Sequence, residues 1–139
     1  MSDYLNDPDE VLYRHIHPDF FQKGEPSDSR FRPSKQDANK LSVDRSSVHD
    51  EAASHYIYTY GGRKSEAIFG VSVSEFKAHN ISCVSDPTKA KAATDTSKAE
   101  LENKAHALAD YSAHTEAEQK LISKKLKQLA LARGKLYPK

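Results

Sequence analysis

The sequence predicts an α+β fold: a small mixed or antiparallel sheet with one central helix, followed by C-terminal helices. Three observations carry this. Between residues 11 and 84, short β-branched and aromatic runs alternate with Gly, Pro, Asp and Ser. Within that region, residues 51–60 instead repeat apolar side chains at helical spacing. From residue 85 the aromatics nearly vanish and Ala, Lys, Glu and Leu take over, a helix-forming composition. Strands interrupted by one helix and trailed by others belong to the α+β class. The expected organisation is a flexible N-terminus (1–10), an α+β core (11–84), a linker (85–99) and a helical region (100–139).

VLYRHI (11–16) reads as a strand that stops at His17-Pro18, because a residue preceding proline leaves the helical region. FFQKGEPSDSRFRPSKQDANK (20–40) contains Gly24, Pro26 and Pro33 and reads as a loop. KLSVD (40–44) is the second strand. Ser47 is the expected N-cap of the central helix, with Asp50 and Glu51 favourable to its first turn. Ala52, Ala53, Tyr56, Ile57 and Tyr60 fall on one face, expected to be buried, and Gly61-Gly62 ends the helix. AIFGVSV (67–73) is a strand with Phe69, Val71 and Val73 on one face. Gly70 and Ser72 leave the other face thin enough for close packing. Ser74 to His79 makes a single turn, and ISCV (81–84) is a further strand. ELENKAHALADYSA (100–113) is expected to be helical. Thr115 and Glu118 form a capping box that opens the last helix, which carries Ile122, Leu126, Leu129, Ala130 and Arg133 along one side and closes at Gly134.

Composition narrows the function classes. With 139 residues and 37% hydrophobic content, the chain is thin for one compact domain. A mean hydropathy of −0.79 agrees. A net charge of +1 gives no overall field for nucleic acid or anionic membranes. The single cysteine, Cys83, allows no intrachain disulfide. The acidic start MSDYLNDPDE is unlike a signal peptide, and no apolar run approaches the roughly 20 residues that span a bilayer. A soluble cytoplasmic protein without membrane association is expected.

Arg14 is the most informative residue. Residues two apart on a strand share a face, so Arg14 lies between Leu12 and Ile16 on the side expected to be buried. A buried guanidinium needs a carboxylate, phosphate or carbonyl partner. Either an internal acid such as Glu51 or Glu66 or a ligand anion answers that need. His15 and His17 share the opposite face and could hold two positions of a metal site, with the remaining ligands supplied from elsewhere. The histidines can equally lie near the surface and bond locally. No nucleophile elbow, P-loop or dinucleotide fingerprint occurs. The last helix carries Lys120, Lys124, Lys125, Lys127 and Arg133, and no acid follows residue 119. Residues 95–118 by contrast hold six acids against two lysines. A basic amphipathic helix of this kind suits a protein partner, with nucleic acid as a second class, or simply keeps its lysines solvated while its leucines pack.

In order, LYR (12–14), RFRP (30–33), LSVDR (41–45) and the helix from Glu51 to Tyr56 resemble the opening of RES-type ADP-ribosyltransferase toxins. The family's Leu-Tyr-Leu strand is Leu41-Ser42-Val43 here. The resemblance covers residues 11–60 and implies NAD as cofactor. It implies Arg14 as the arginine that reaches the dinucleotide. Beside it, Tyr13 and Arg32 are the cofactor-binding candidates, and Arg14, His15, Tyr56 and Glu51 are the catalytic candidates, with Glu66 and Glu75 the other available glutamates. The spacing of Arg14 to Pro18, Leu41 to Val43 and Ala105 to Ala107 also resembles small bacterial proteins with an R-x-[IV]-H-P start, an LSV strand and an A-H-A element.

Three readings follow. The first is a small bacterial interaction protein of a toxin-antitoxin, immunity or phage-defence type, which engages a partner through an exposed stripe of Ile122, Leu126 and Leu129. The second is an ADP-ribosyltransferase-like toxin that uses NAD. The third is a metal-dependent hydrolase around His15 and His17.

Overall fold

The computed structural model describes residues 3–92 and 99–139. In chain order the elements are β1 (Val11–Ile16), β2 (Phe21–Gln22), β3 (Glu25–Pro26), β4 (Lys40–Arg45), α1 (Glu51–Tyr60), β5 (Ala67–Ser72), α2 (Val73–Lys77), β6 (Ser82–Ser85), β7 (His106–Asp110) and α3 (Glu116–Arg133). Five strands form one antiparallel sheet in the order β5-β1-β4-β7-β6, and β2 and β3 form a small hairpin beside it. The α+β class read from the sequence is the observed one. No helix among the described residues is long and apolar enough to cross a membrane.

The pleat sorts the sheet into two unlike faces. Register places Leu12, Ile16, Leu41, Val43, Phe69, Val71, Ala107, Ala109 and Cys83 on one face, all buried. Ile122, Leu126 and Ala130 of α3 complete this core with Phe31, Phe76 and Tyr111. The opposite face presents Tyr13, His15, Asp44 and Ile68, and α1 covers part of it through polar contacts. Cys83 is buried, and burial pushes its thiol pKa up to about 12, which makes it a packing residue rather than a nucleophile.

Four expectations need correction. Residues 100–113 are not helical. Glu100 and Asn103 bridge to Lys91 and Thr88, and His106–Asp110 is the fourth strand of the sheet order. The reason is a period of two: Ala105, Ala107, Ala109 and Tyr111 are all fully buried, so alternation outweighs alanine's helix propensity. The bridges also pair the described flanks of the expected linker, whose residues 93–98 lie outside the described residues. The N-cap of α1 is Asp50, which accepts a hydrogen bond from the Ala53 N–H at 2.8 Å, while Ser47 donates to buried Glu10 at 2.6 Å. Glu10 also holds Arg45, and residues 3–5, placed in the expected flexible N-terminus, hydrogen-bond along β6. Finally, α1 turns a polar stripe inward. Ser54 is its fully buried residue, whereas Tyr56 is 60% and Tyr60 43% exposed.

Gly70 serves the close approach expected of it. A Cβ there would meet Val11 Cγ1 at 2.5 Å and Leu136 Cδ1 at 2.8 Å. Leu136 and Tyr137 extend the sheet past β5 through hydrogen bonds with both backbone groups of Ile68, so β5 is not a bare edge. Gly70→Ala is expected to cost about 1–3 kcal/mol by overpacking. A lower urea midpoint at unchanged slope is the readout; an unchanged midpoint refutes the close packing.

Candidate functional site

β1 and β4 are each six residues long, yet their paired positions are Leu12 with Arg45 and Tyr13 with Asp44. Beyond Tyr13 the strands part, and a cleft of about 440 Å³ opens there, within the usual range of ligand pockets. Arg14 stands where the ladder stops. Its Nε donates to the Arg30 carbonyl at 2.6 Å and its Nη1 to the Ser42 carbonyl at 3.1 Å, across to β4. The partner anticipated for this guanidinium is therefore a pair of carbonyls. Glu51 instead accepts from the Tyr13 hydroxyl at 3.1 Å. Burial, then the nearby charge of Arg30, pushes the Arg14 pKa down to about 10, which leaves it cationic at neutral pH.

The 3-10 turn at Asp28–Phe31 and the loop after it bring Arg30 and Arg32 to the same cleft. Arg32 is engaged, donating to Ser123 Oγ at 2.9 Å and lying 3.7 Å from Asp28. On the far wall, Arg63 and Lys91 both pair with Glu100. Arg14 and Arg30 make no ion pair with a carboxylate among the described residues. The cleft thus holds five cationic side chains against the carboxylates Asp37, Asp44 and Glu100.

Its floor is a buried polar network. Ser54 Oγ donates to Asp44 Oδ2 at 2.6 Å, and Asn103 Nδ2 donates to Asp44 Oδ1 at 2.9 Å. Because the single Ser54 proton goes to Asp44, Ser54 accepts from His15 Nε2 at 2.9 Å. His15 Nδ1 meets Ser65 Oγ at 2.9 Å, and the imidazole stacks on Tyr58 at 4.0 Å. Burial is the main cause that holds His15 below the ordinary histidine pKa, so it is neutral at pH 7. Burial alone would raise Asp44, but the adjacent His15 ring, 3.5 Å away, and hydrogen bonds from Ser54 and Asn103 outweigh it and keep the carboxylate ionised. Although a serine, a histidine and an aspartate meet here, Ser54 is fully buried and its proton is directed to the acid, so the trio is not arranged for nucleophilic attack.

Of the residues expected to bind a cofactor, Arg14, Tyr13 and Arg32 all line this cleft. Of the expected catalytic set, Arg14 and His15 do; Tyr56 and Glu51 are not among its lining residues. His15 and His17 do not share a site: His17 caps the 3-10 turn at Pro18–Phe20 and accepts from the Asp19 N–H at 3.0 Å. No group of three His, Cys, Asp or Glu among the described residues is placed to hold a metal.

The basic helix is more deeply built in than expected. Ile122 and Leu126 are buried in the core, so the exposed stripe anticipated there does not exist. Lys127 pairs with Glu25, and Arg133 pairs with Glu75 and the Gly70 carbonyl. Lys120, beside Glu116, and Lys124 and Lys125 remain at the surface.

Sequence reasoning missed Asp44, Ser54 and Asn103. Asp44 was legible in principle, since it follows Leu41 and Val43 out of phase at the end of a strand. Arg30 sat inside the RFRP stretch, but nothing in the sequence distinguished it from Arg32.

Fold and cleft together define an antiparallel α+β protein with an arginine-rich, partly enclosed site where two strands separate. Comparisons of this chain with family models, curated proteins and solved structures gave no match.

Proposed function

We propose that the protein binds a phosphorylated small ligand in this cleft, with NAD as the candidate under the ADP-ribosyltransferase-like reading. The observation that supports this is Arg14: a cation at the foot of a ligand-sized cleft, held by two carbonyls and paired with no acid among the described residues. Guanidinium carries planar, bidentate donors suited to phosphate, and Arg14 keeps donors to spare. A cytoplasmic bacterial toxin or defence protein is the setting this reading implies. Calorimetry with NAD on wild type and on Arg14→Lys tests it. Saturable binding is expected, weakened about tenfold or more by lysine, which keeps the charge but loses the fork. No heat at millimolar NAD removes the dinucleotide reading.

A second reading retains one specific observation. The outward side of α3 exposes Leu121 (62%) and Leu129 (39%) beside Lys124 and Lys125. An interaction protein of toxin-antitoxin or immunity type would engage a protein partner, or nucleic acid, through that surface rather than through Ile122 and Leu126.

A further inference from the structure

We propose that Arg30 acts with Arg14 to make the cleft selective for a diphosphate over a single phosphate; this rests on the reading of the cleft as an anion site. Among the described residues, Arg30 Nε is the one buried side-chain nitrogen or oxygen without a hydrogen-bond partner. Such a group is costly to bury and is normally satisfied. The guanidinium lies over the Phe20 ring at 5.0 Å, a cation–π approach that satisfies no N–H donor. Its main chain is fixed, because the Arg30 carbonyl accepts the Arg14 Nε bond.

Donor geometry sets the ligand class. With Nε and Nη1 committed to carbonyls, Arg14 has its outer Nη1/Nη2 edge left, and one such edge embraces two oxygens of one phosphate. Arg30 lines the same cleft and brings a second guanidinium, whose terminal Nη groups are its remaining donors. Two guanidiniums from two elements, each with one free edge and neither with an acid, match two linked phosphates bearing one charge apiece. Arg30 is close enough for its charge to rank second, after burial, among the causes depressing Arg14's pKa. A bridging dianion converts that repulsion into shared attraction. The other cations of the cleft do not compete for this role: Ser123 and Asp28 hold Arg32, and Glu100 holds Arg63 and Lys91.

The test is calorimetry with ADP, AMP and inorganic pyrophosphate on wild type, Arg30→Gln and Arg30→Lys, with thermal melts to verify folding. Wild type is expected to bind ADP about tenfold or more tightly than AMP, the size of a charge-assisted bidentate contact. Arg30→Gln should bring that ratio within about twofold while AMP affinity stays near wild type, because Arg14 still holds one phosphate. Arg30→Lys should fall between. Pyrophosphate binding as tightly as ADP upholds the proposal and identifies free diphosphate as sufficient; much weaker pyrophosphate binding upholds it with a nucleoside diphosphate as the ligand. Equal ADP and AMP affinities in wild type, or a ratio untouched by Arg30→Gln, overturn the role of Arg30 while leaving the anion site standing. Failure of wild type to bind any phosphate ligand, NAD included, ends both.

Discussion

Asp44→Ala is expected to lower stability by about 3–5 kcal/mol, because it strands buried donors rather than removing surface charge. Asp44 is 4% exposed, and its carboxylate accepts from Ser54 and Asn103, with His15 Nε2 3.5 Å away. Each buried polar group left unpaired costs about 1–3 kcal/mol, and two donors lose their acceptor together. Since Ser54 belongs to α1 and Asn103 to the approach to β7, the loss loosens two walls of the cleft at once. Urea unfolding reads the effect, and a change under about 1 kcal/mol would mean that solvent satisfies the network.

The same network gives stability a defined pH dependence. The folded-state pKa of His15 lies below its ordinary value of 6.5. Above that pH both folded and unfolded chains carry a neutral imidazole. Below it the unfolded chain takes up a proton that the folded one refuses, so stability falls. Asp44 is depressed below 3.8, and between that pH and its folded value the unfolded chain again binds the extra proton. Stability should therefore decline on acidification first below about pH 6.5, where His79 is depressed as well as His15, and again below about pH 4.5, where Glu10 and Glu75 join Asp44. His15→Gln should shrink the upper decline, leaving the smaller part due to the more exposed His79, and keep the lower one. A wild-type profile flat from pH 7 to pH 5 refutes the assignment.

Leu126→Ala is the second large effect, expected at about 2–5 kcal/mol. Leu126 is fully buried between Ile122 and Ala130 in the core under α3, so truncation leaves a cavity where the helix meets the sheet. The charge reversals Lys124→Glu and Lys125→Glu, made together, should change stability by no more than about 0.5 kcal/mol, since both side chains face solvent. This contrast separates a helix that completes the domain from one that serves a partner. If Leu126→Ala costs less than about 1 kcal/mol, the helix is an appendage and the partner reading gains.

Much of this architecture was legible along the chain. Thr115 and Glu118 announce the start of α3 with a local capping box, and both halves of it are formed. His17-Pro18 stops β1, and Gly70 marks a close approach, because backbone sterics act at the residue itself. Segment 100–113 shows where local reasoning gives way. Alanine favours a helix, but Ala107 and Ala109 are buried opposite Val43 and Leu41, and pairing with β4 decides the outcome. Propensity is a matter of tenths of a kcal/mol per residue, and a buried strand pairing exceeds it.

The site divides in the same way. That Arg14 needed a partner followed from its place between Leu12 and Ile16. The identity of that partner did not, because the Arg30 and Ser42 carbonyls lie 16 and 28 residues away and meet it only through folding. Likewise, α1 was legible as a helix, but its inward face was not. Apolar spacing pointed to Tyr56 and Tyr60, whereas the sheet beneath presents His15 and Asp44 and so draws in Ser54. By itself, then, the sequence determined the α+β class, the stops and caps of its elements and the residue most in need of a partner, all set within a few neighbouring residues. Only the tertiary structure decided that β1 and β4 part, that Arg14 and Arg30 line the opening with no ion pair to a carboxylate among the described residues, and that α3 belongs to the core. Those outcomes depend on contacts between residues far apart in the chain, whose free energy no local pattern contains.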